Sequence, residues 1–142
     1  MTDPFRQMSP GIGNVGSYQV SGYPFVTGST LDSGNFAGGS NAQGRIVFPQ
    51  VVKSFTLINT STSSVSLRLH YNTIENNNVI GGHHYITITG SMTAVTMNMK
   101  CKEIFVSLNG GSAGNGTFEI FADLTGISPN DMPLLTGSGL TI

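Results

Sequence analysis

Residues 65–71 read V-S-L-R-L-H-Y. Val65, Leu67, Leu69 and Tyr71 share one side of a two-residue period, and Ser66, Arg68 and His70 share the other. A chain that alternates at every step is a half-buried strand, with its apolar side on a core and Arg68 on the wet side. The same period recurs on either side. Val51–Asn59 (VVKSFTLIN) is rich in β-branched and aromatic residues and predicts a well-buried strand. His83–Thr89 sets His84, Ile86 and Ile88 against His83, Tyr85, Thr87 and Thr89. Met92–Met99, Lys102–Leu108 and Thr117–Leu124 alternate likewise, with Ile104, Val106 and Leu108 facing in, and Phe118, Ile120, Ala122 and Leu124 sharing one face. Gly90-Ser91 marks a turn, and Asn109–Asn115 (NGGSAGN) has the chemistry of a turn joining hairpin strands.

Strands spaced about ten residues apart, with no helical period between them, predict an all-β fold: an antiparallel β-sandwich, jelly-roll-like. A parallel sheet would need crossover helices. An immunoglobulin-like sandwich loses ground, because the chain has no Trp and only one Cys.

The 142 residues suit one domain, which we divide into an arm (1–45), a sandwich body (46–124) and a C-terminal docking tail (125–142). The arm holds nine of the chain's 19 glycines and four charges, Asp3, Arg6, Asp32 and Arg45, without a sustained apolar period. Aromatic residues are nevertheless dotted along it, whereas a solvated tail carries charge and few aromatics. Such side chains want burial on a backbone that cannot bury them alone, so another chain is expected to supply the surface. Phe5, Tyr18, Tyr23, Phe25 and Phe36 are the expected partner contacts. The tail repeats this character, with Leu134, Leu135, Leu140 and Ile142 set to dock on the body or on a neighbour.

Charged residues are 9% of the chain, against about 25% in an average soluble protein. With a net charge of −1, little electrostatic repulsion keeps copies apart. Six scattered Lys and Arg cannot neutralise a run of phosphates, so no nucleic-acid partner is expected. No stretch approaches 18 apolar residues, and no basic start precedes an apolar run, so neither a membrane span nor a secretory signal is expected. One cysteine, Cys101, excludes an internal disulfide framework. The triplets at Asn59-Thr60-Ser61 and Asn115-Gly116-Thr117 are what chance yields in a chain this rich in Asn, Ser and Thr.

Each chemical motif has a blander explanation. Gly11, Gly13 and Gly16 spell G-I-G-N-V-G, but no strand precedes them and no helix follows, so the dinucleotide fingerprint lacks its frame. His83 and His84 are adjacent and point to opposite faces of a strand, so they do not converge on one metal. One is expected at the core edge and one at the surface. Cys101 lies between Lys100 and Lys102, which alternate away from it, and reads as a buried structural thiol. The carboxylates are Asp3, Asp32, Glu75, Glu103, Glu119, Asp123 and Asp131. Glu119 and Asp123 share a strand face about 13 Å apart, too far for an acid–base pair. The chain is therefore expected to be no enzyme and to need no cofactor or metal.

Four segments carry a likeness to a known family: DPFRQMSPGIGNVGSYQVSGYPFVTGS (3–29), GGHHYITI (81–88), MKCKEIFVSL (99–108), and ADLTGI (122–127) with the ending LLTGSGLTI (134–142). Together they resemble small virion structural proteins of tailed bacteriophages, notably those infecting marine cyanobacteria and other ocean bacteria. The resemblance implies a β-sandwich on the particle, made in the host cytoplasm and located in the virion. It implies a capsid decoration or cement protein that binds the major capsid protein, often as a homotrimer. A tail, neck or fibre-adaptor component is the alternative within that world, and a carbohydrate-binding β-sandwich module is the alternative from another class.

Overall fold

The computed structural model describes residues 23–31, 43–72, 79, 83–109, 114–135 and 140. They form seven strands: β1 (Pro24–Leu31), β2 (Gln43–Asn59), β3 (Leu67–His70), β4 (Ile86–Ile88), β5 (Thr93–Met97), β6 (Cys101–Leu108) and β7 (Gly116–Leu124). Every pairing between them is antiparallel.

The longest strand, β2, organises the others. Its first half, from Gln43 to Val47, pairs with β6, and its second half, from Val52 to Asn59, pairs with β7. On the edge opposite β7, β5 takes Phe55–Asn59, following the same edge as β6. One leaf is therefore β1-β7-β2-β5 and the other is β2-β6-β3-β4, with β2 common to both. The join is irregular: Phe48, Pro49, Gln50 and Val51 stand opposite Lys102 alone, and Lys53 is unmatched against β7. Bulges and bends of this kind let a strand turn a corner from one sheet to another. Pro49 fits there, since a corner residue needs no ladder N–H.

Side chains from both leaves meet in one main core. A Cβ on Gly116 of β7 would lie 2.5 Å from the Leu108 side chain and 2.7 Å from that of Leu67, so β7 approaches β3 and β6 closely there, and a larger residue would have to push both leucine methyls aside. Phe25, Phe48, Phe55 and Tyr71 form a chain of rings from β1 to the end of β3, with centroids 5.4, 6.2 and 6.3 Å apart. Leu57, Leu67, Leu69, Ile104, Val106, Leu108 and Ile120 fill the rest. Each such side chain contributes about 1.5–3 kcal/mol by leaving water.

Three expectations need correction. The sheet begins before residue 46: Pro24–Leu31 pairs along its whole length with β7, and Gln43–Arg45 opens β2. The glycines of this region masked its period, yet Phe25 and Leu31 pack on the core. Second, β6 and β7 are not a hairpin. Both are partners of β2, which separates them, so the glycine-rich connection spans the leaves. Third, the second leaf is buried on both faces at β6: Phe105 and Ser107 are as enclosed as Ile104 and Val106. Val79, also buried, donates its N–H to the Gln43 side chain opposite Ser107, so Val79 helps to cover this face. The described tail docks on its own body. Thr125 and Ile127 exchange backbone bonds with Val51, and Ile127 and Met132 pack on Val51.

Asn59 holds one end of the fold. Its side chain is fully buried, donating to the carbonyls of Val65 (3.1 Å) and Ile88 (3.0 Å) and accepting from Ser61 N–H (3.0 Å). The turn after β4 is anchored beside it: Ser91 and Met92, both at φ 64°, donate to the Ser61 and Asn59 carbonyls. Replacing Asn59 with Ala strands two buried carbonyls and one N–H. Asn59→Ala is expected to lower unfolding free energy by about 2–4 kcal/mol, measured by urea titration.

Candidate interaction surface

Of the expected partner contacts, Phe5, Tyr18 and Phe36 lie outside the described residues. Tyr23 and Phe25 are two positions apart but differ in role. Tyr23 is 70% exposed at the entry to β1. Phe25 lends its ring to the protein's own core, edge-on to Phe48. Beside them is a feature the sequence did not single out. Val26, 75% exposed, and Phe121, 50% exposed, are direct cross-strand neighbours on the outer face of β1 and β7. The outward-facing neighbours Thr56 and Thr96 continue this row as a hydroxyl pair, 2.9 Å apart. Only period-two alternation joined to the register would have found the pair.

Among the described residues β1 also presents a free edge. Leu124 N–H donates to the Tyr23 carbonyl, which makes Tyr23 a hydrogen-bonded partner of β7. In an antiparallel ladder this role alternates. Phe25, Thr27, Ser29 and Leu31 therefore bond β7, while the N–H and C=O groups of Val26, Gly28 and Thr30 point away from it. Pro24 falls on the outward set, where its missing N–H costs the sheet nothing. Among the described residues no strand takes that edge, and β1 carries no charge. Beneath it lies a groove of about 310 Å³ between β1 and the first half of β2, lined by Phe25, Thr27, Gly44, Ile46 and Phe118 among others.

The remaining chemistry is structural. His70, expected on the wet side, is 2% exposed, its Nε2 2.8 Å from Ser107 Oγ. A Ser–His pair is the arrangement of a nucleophile and its base, but here Ser107 is as buried as His70. Burial and the nearby Arg68 charge lower the His70 pKa to about 4, which makes it a poor base at neutral pH. Cys101 is fully buried, its thiol pushed up to about 12 by desolvation, so it is inert. Lys102 donates to the Met132 carbonyl at 2.8 Å, fastening the tail. His83 is exposed and His84 partly buried. They line a depression of about 300 Å³ with Leu69, Tyr71, Tyr85 and Ile86. The Arg68 guanidinium lies 4.1 Å from the Tyr85 ring centroid and covers one face of that ring. Among the described residues no group of three His, Cys, Asp or Glu is placed to hold a metal ion, and no helix is long and apolar enough to cross a membrane.

No known family model matches the chain, and no curated protein matches it.

His70 makes stability depend on pH. The unfolded chain takes up this proton near 6.5, and the native state only near 4. Native stability therefore falls as pH drops between those values, and the full penalty is present below the lower one. His70→Gln is expected to flatten the wild-type decline between pH 6.5 and 4 by roughly 3 kcal/mol, read as the difference between the two proteins' urea midpoints.

Proposed function

We propose that this protein is a non-enzymatic structural component of a virus particle, acting as a decoration or cement protein on a phage head. The observation that carries the assembly part is the open, uncharged edge of β1, joined at Tyr23 to the N-terminal segment and flanked by exposed Val26 and Phe121. A long exposed edge is a liability that monomeric proteins cover or charge. Leaving it bare suits a protein whose surface is completed by assembly. The virion setting rests on the likeness of residues 3–29, 81–88, 99–108, 122–127 and 134–142 to small phage structural proteins.

In this reading the sandwich supplies a rigid shape. The segment before Tyr23, with Phe5, Tyr18 and spaced aliphatic residues, lies along the major capsid protein or another virion protein. Ordering it costs about 1–2 kcal/mol per residue, which many copies on a symmetric shell offset through multivalency. Neither nucleic acid nor membrane enters this role.

Because β1 belongs to the sheet, the informative truncation removes residues 1–22 only. The truncated protein is expected to melt within a few degrees of the full chain and to lose most of its occupancy on purified particles. Unchanged occupancy in a binding assay would refute the arm's role. Counting copies per virion by quantitative gel separates shell from tail. A shell protein gives hundreds and a tail or neck component about a dozen, as closed symmetry dictates.

A further inference from the structure

We propose that β1 is a self-pairing edge: two copies of this protein join antiparallel through their β1 strands about a two-fold axis, fusing two first leaves into one continuous sheet. This goes beyond the virion role and does not depend on it.

The donors and acceptors are in place. Val26, Gly28 and Thr30 direct their backbone groups outward, and the Pro24 carbonyl does the same. A two-fold pair needs residues of the outward set opposite one another, and placing Val26 against Gly28 of the second copy, and Pro24 against Thr30, satisfies this in both directions. Pro24, which offers no N–H, then falls at the end of the ladder, where the fewest bonds are lost.

Self-pairing is also the arrangement that tests a strand's charge most severely, since residues near the axis meet their own kind. The stretch Pro24–Leu31 (PFVTGSTL) has no charged residue to repel its copy and no Lys to guard the edge. On the outer face the two copies bring their Val26 side chains near the axis, extending the apolar row that Phe121 begins. On the inner face, Phe25 and Ser29 of the second copy come beside Ser29 and Phe25 of the first, at the mouth of the 310 Å³ groove. The second copy thus roofs the open side of the sandwich. Such a two-fold contact gives a dimer, in place of the trimer that the family likeness implies.

The test uses the full-length protein without any virion, so it can fail while the particle role stands, or the reverse. By light scattering on a sizing column the wild type is expected to have twice the chain mass. Val26→Lys sets like charges beside the axis, and Thr30→Pro deletes an outward N–H without touching the β7 ladder. Both are expected to weaken the dimer at least tenfold with little change in melting temperature, while Leu134→Lys, on an exposed apolar residue elsewhere, leaves it intact. Hydrogen exchange reads the same edge without mutation. The Val26, Gly28 and Thr30 amides are expected to gain protection as protein concentration rises, while those of Thr27 and Ser29 stay protected throughout. Four results would overturn the proposal: a wild-type monomer at ~100 μM, a trimer or larger ring, variants that still dimerise, or edge amides protected at every concentration, which would mean the chain covers its own edge.

Discussion

Strand β2 has to serve two sheets at once, and the rest of the molecule is arranged by that obligation. Val52 stands at the crossing, opposite Cys101 of β6 on one edge and Leu124 of β7 on the other. Before it the strand belongs to one leaf and after it to the other, so the corner between them is covalent. This is why four residues of β2 pass one residue of β6, and why Phe48 sits inside the fold even though its stretch of ladder is broken. The corner is sealed from outside by the tail, whose Thr125 hydroxyl and backbone bind the Val51 carbonyl. Thus the segment beyond β7 completes a hydrogen-bond ladder that the bend left open, which accounts for its burial better than apolar content alone.

The two leaves are treated unequally. The first leaf has one wet face, and its outward residues alternate with inward ones along β7 from Gly116 to Leu124. The second leaf is roofed on its outer side at β6 and His70, so polar groups there must find partners within the protein. His70 and Ser107 supply one another, and Arg68 is divided between the Asn109 side chain and the Tyr85 ring. The cost of this roof is a histidine that must remain neutral.

Much of this was legible in the residues. Alternation at 65–71 and 117–124 names the inward side chains correctly, because a strand with one wet face leaves a two-residue period. The same logic misplaces His70, since cover supplied by another segment, here the Tyr85 ring 5.8 Å away, leaves no trace in the strand it covers. It also overlooks β1, whose Pro24, Gly28, Ser29 and Thr30 dilute the apolar signal to Phe25, Val26 and Leu31. β1 is a strand because β7 offers it eight consecutive partners, and no local property of β1 demands it. The hairpin expected after β6 fails for another reason: which strands a connection joins depends on their common neighbour, here β2. Tyr23 was legible as an exposed aromatic, whereas the Val26–Phe121 pair emerges only from register across strands almost a hundred positions apart.

That long separation has a consequence for how the chain comes into being on the ribosome. Among the described residues β1 pairs only with β7, and the second half of β2 waits for the same partner. Until Leu124 has left the exit tunnel, the emerging chain carries two long strands without the one that lies between them. The β2–β5 and β2–β6 ladders can form earlier, but the first leaf cannot close. Topologies dominated by such distant contacts fold slowly and leave strand edges exposed meanwhile. Nascent copies on one message therefore hold their unmatched β1 strands close together, so any tendency of these strands to meet another copy begins before either molecule is complete.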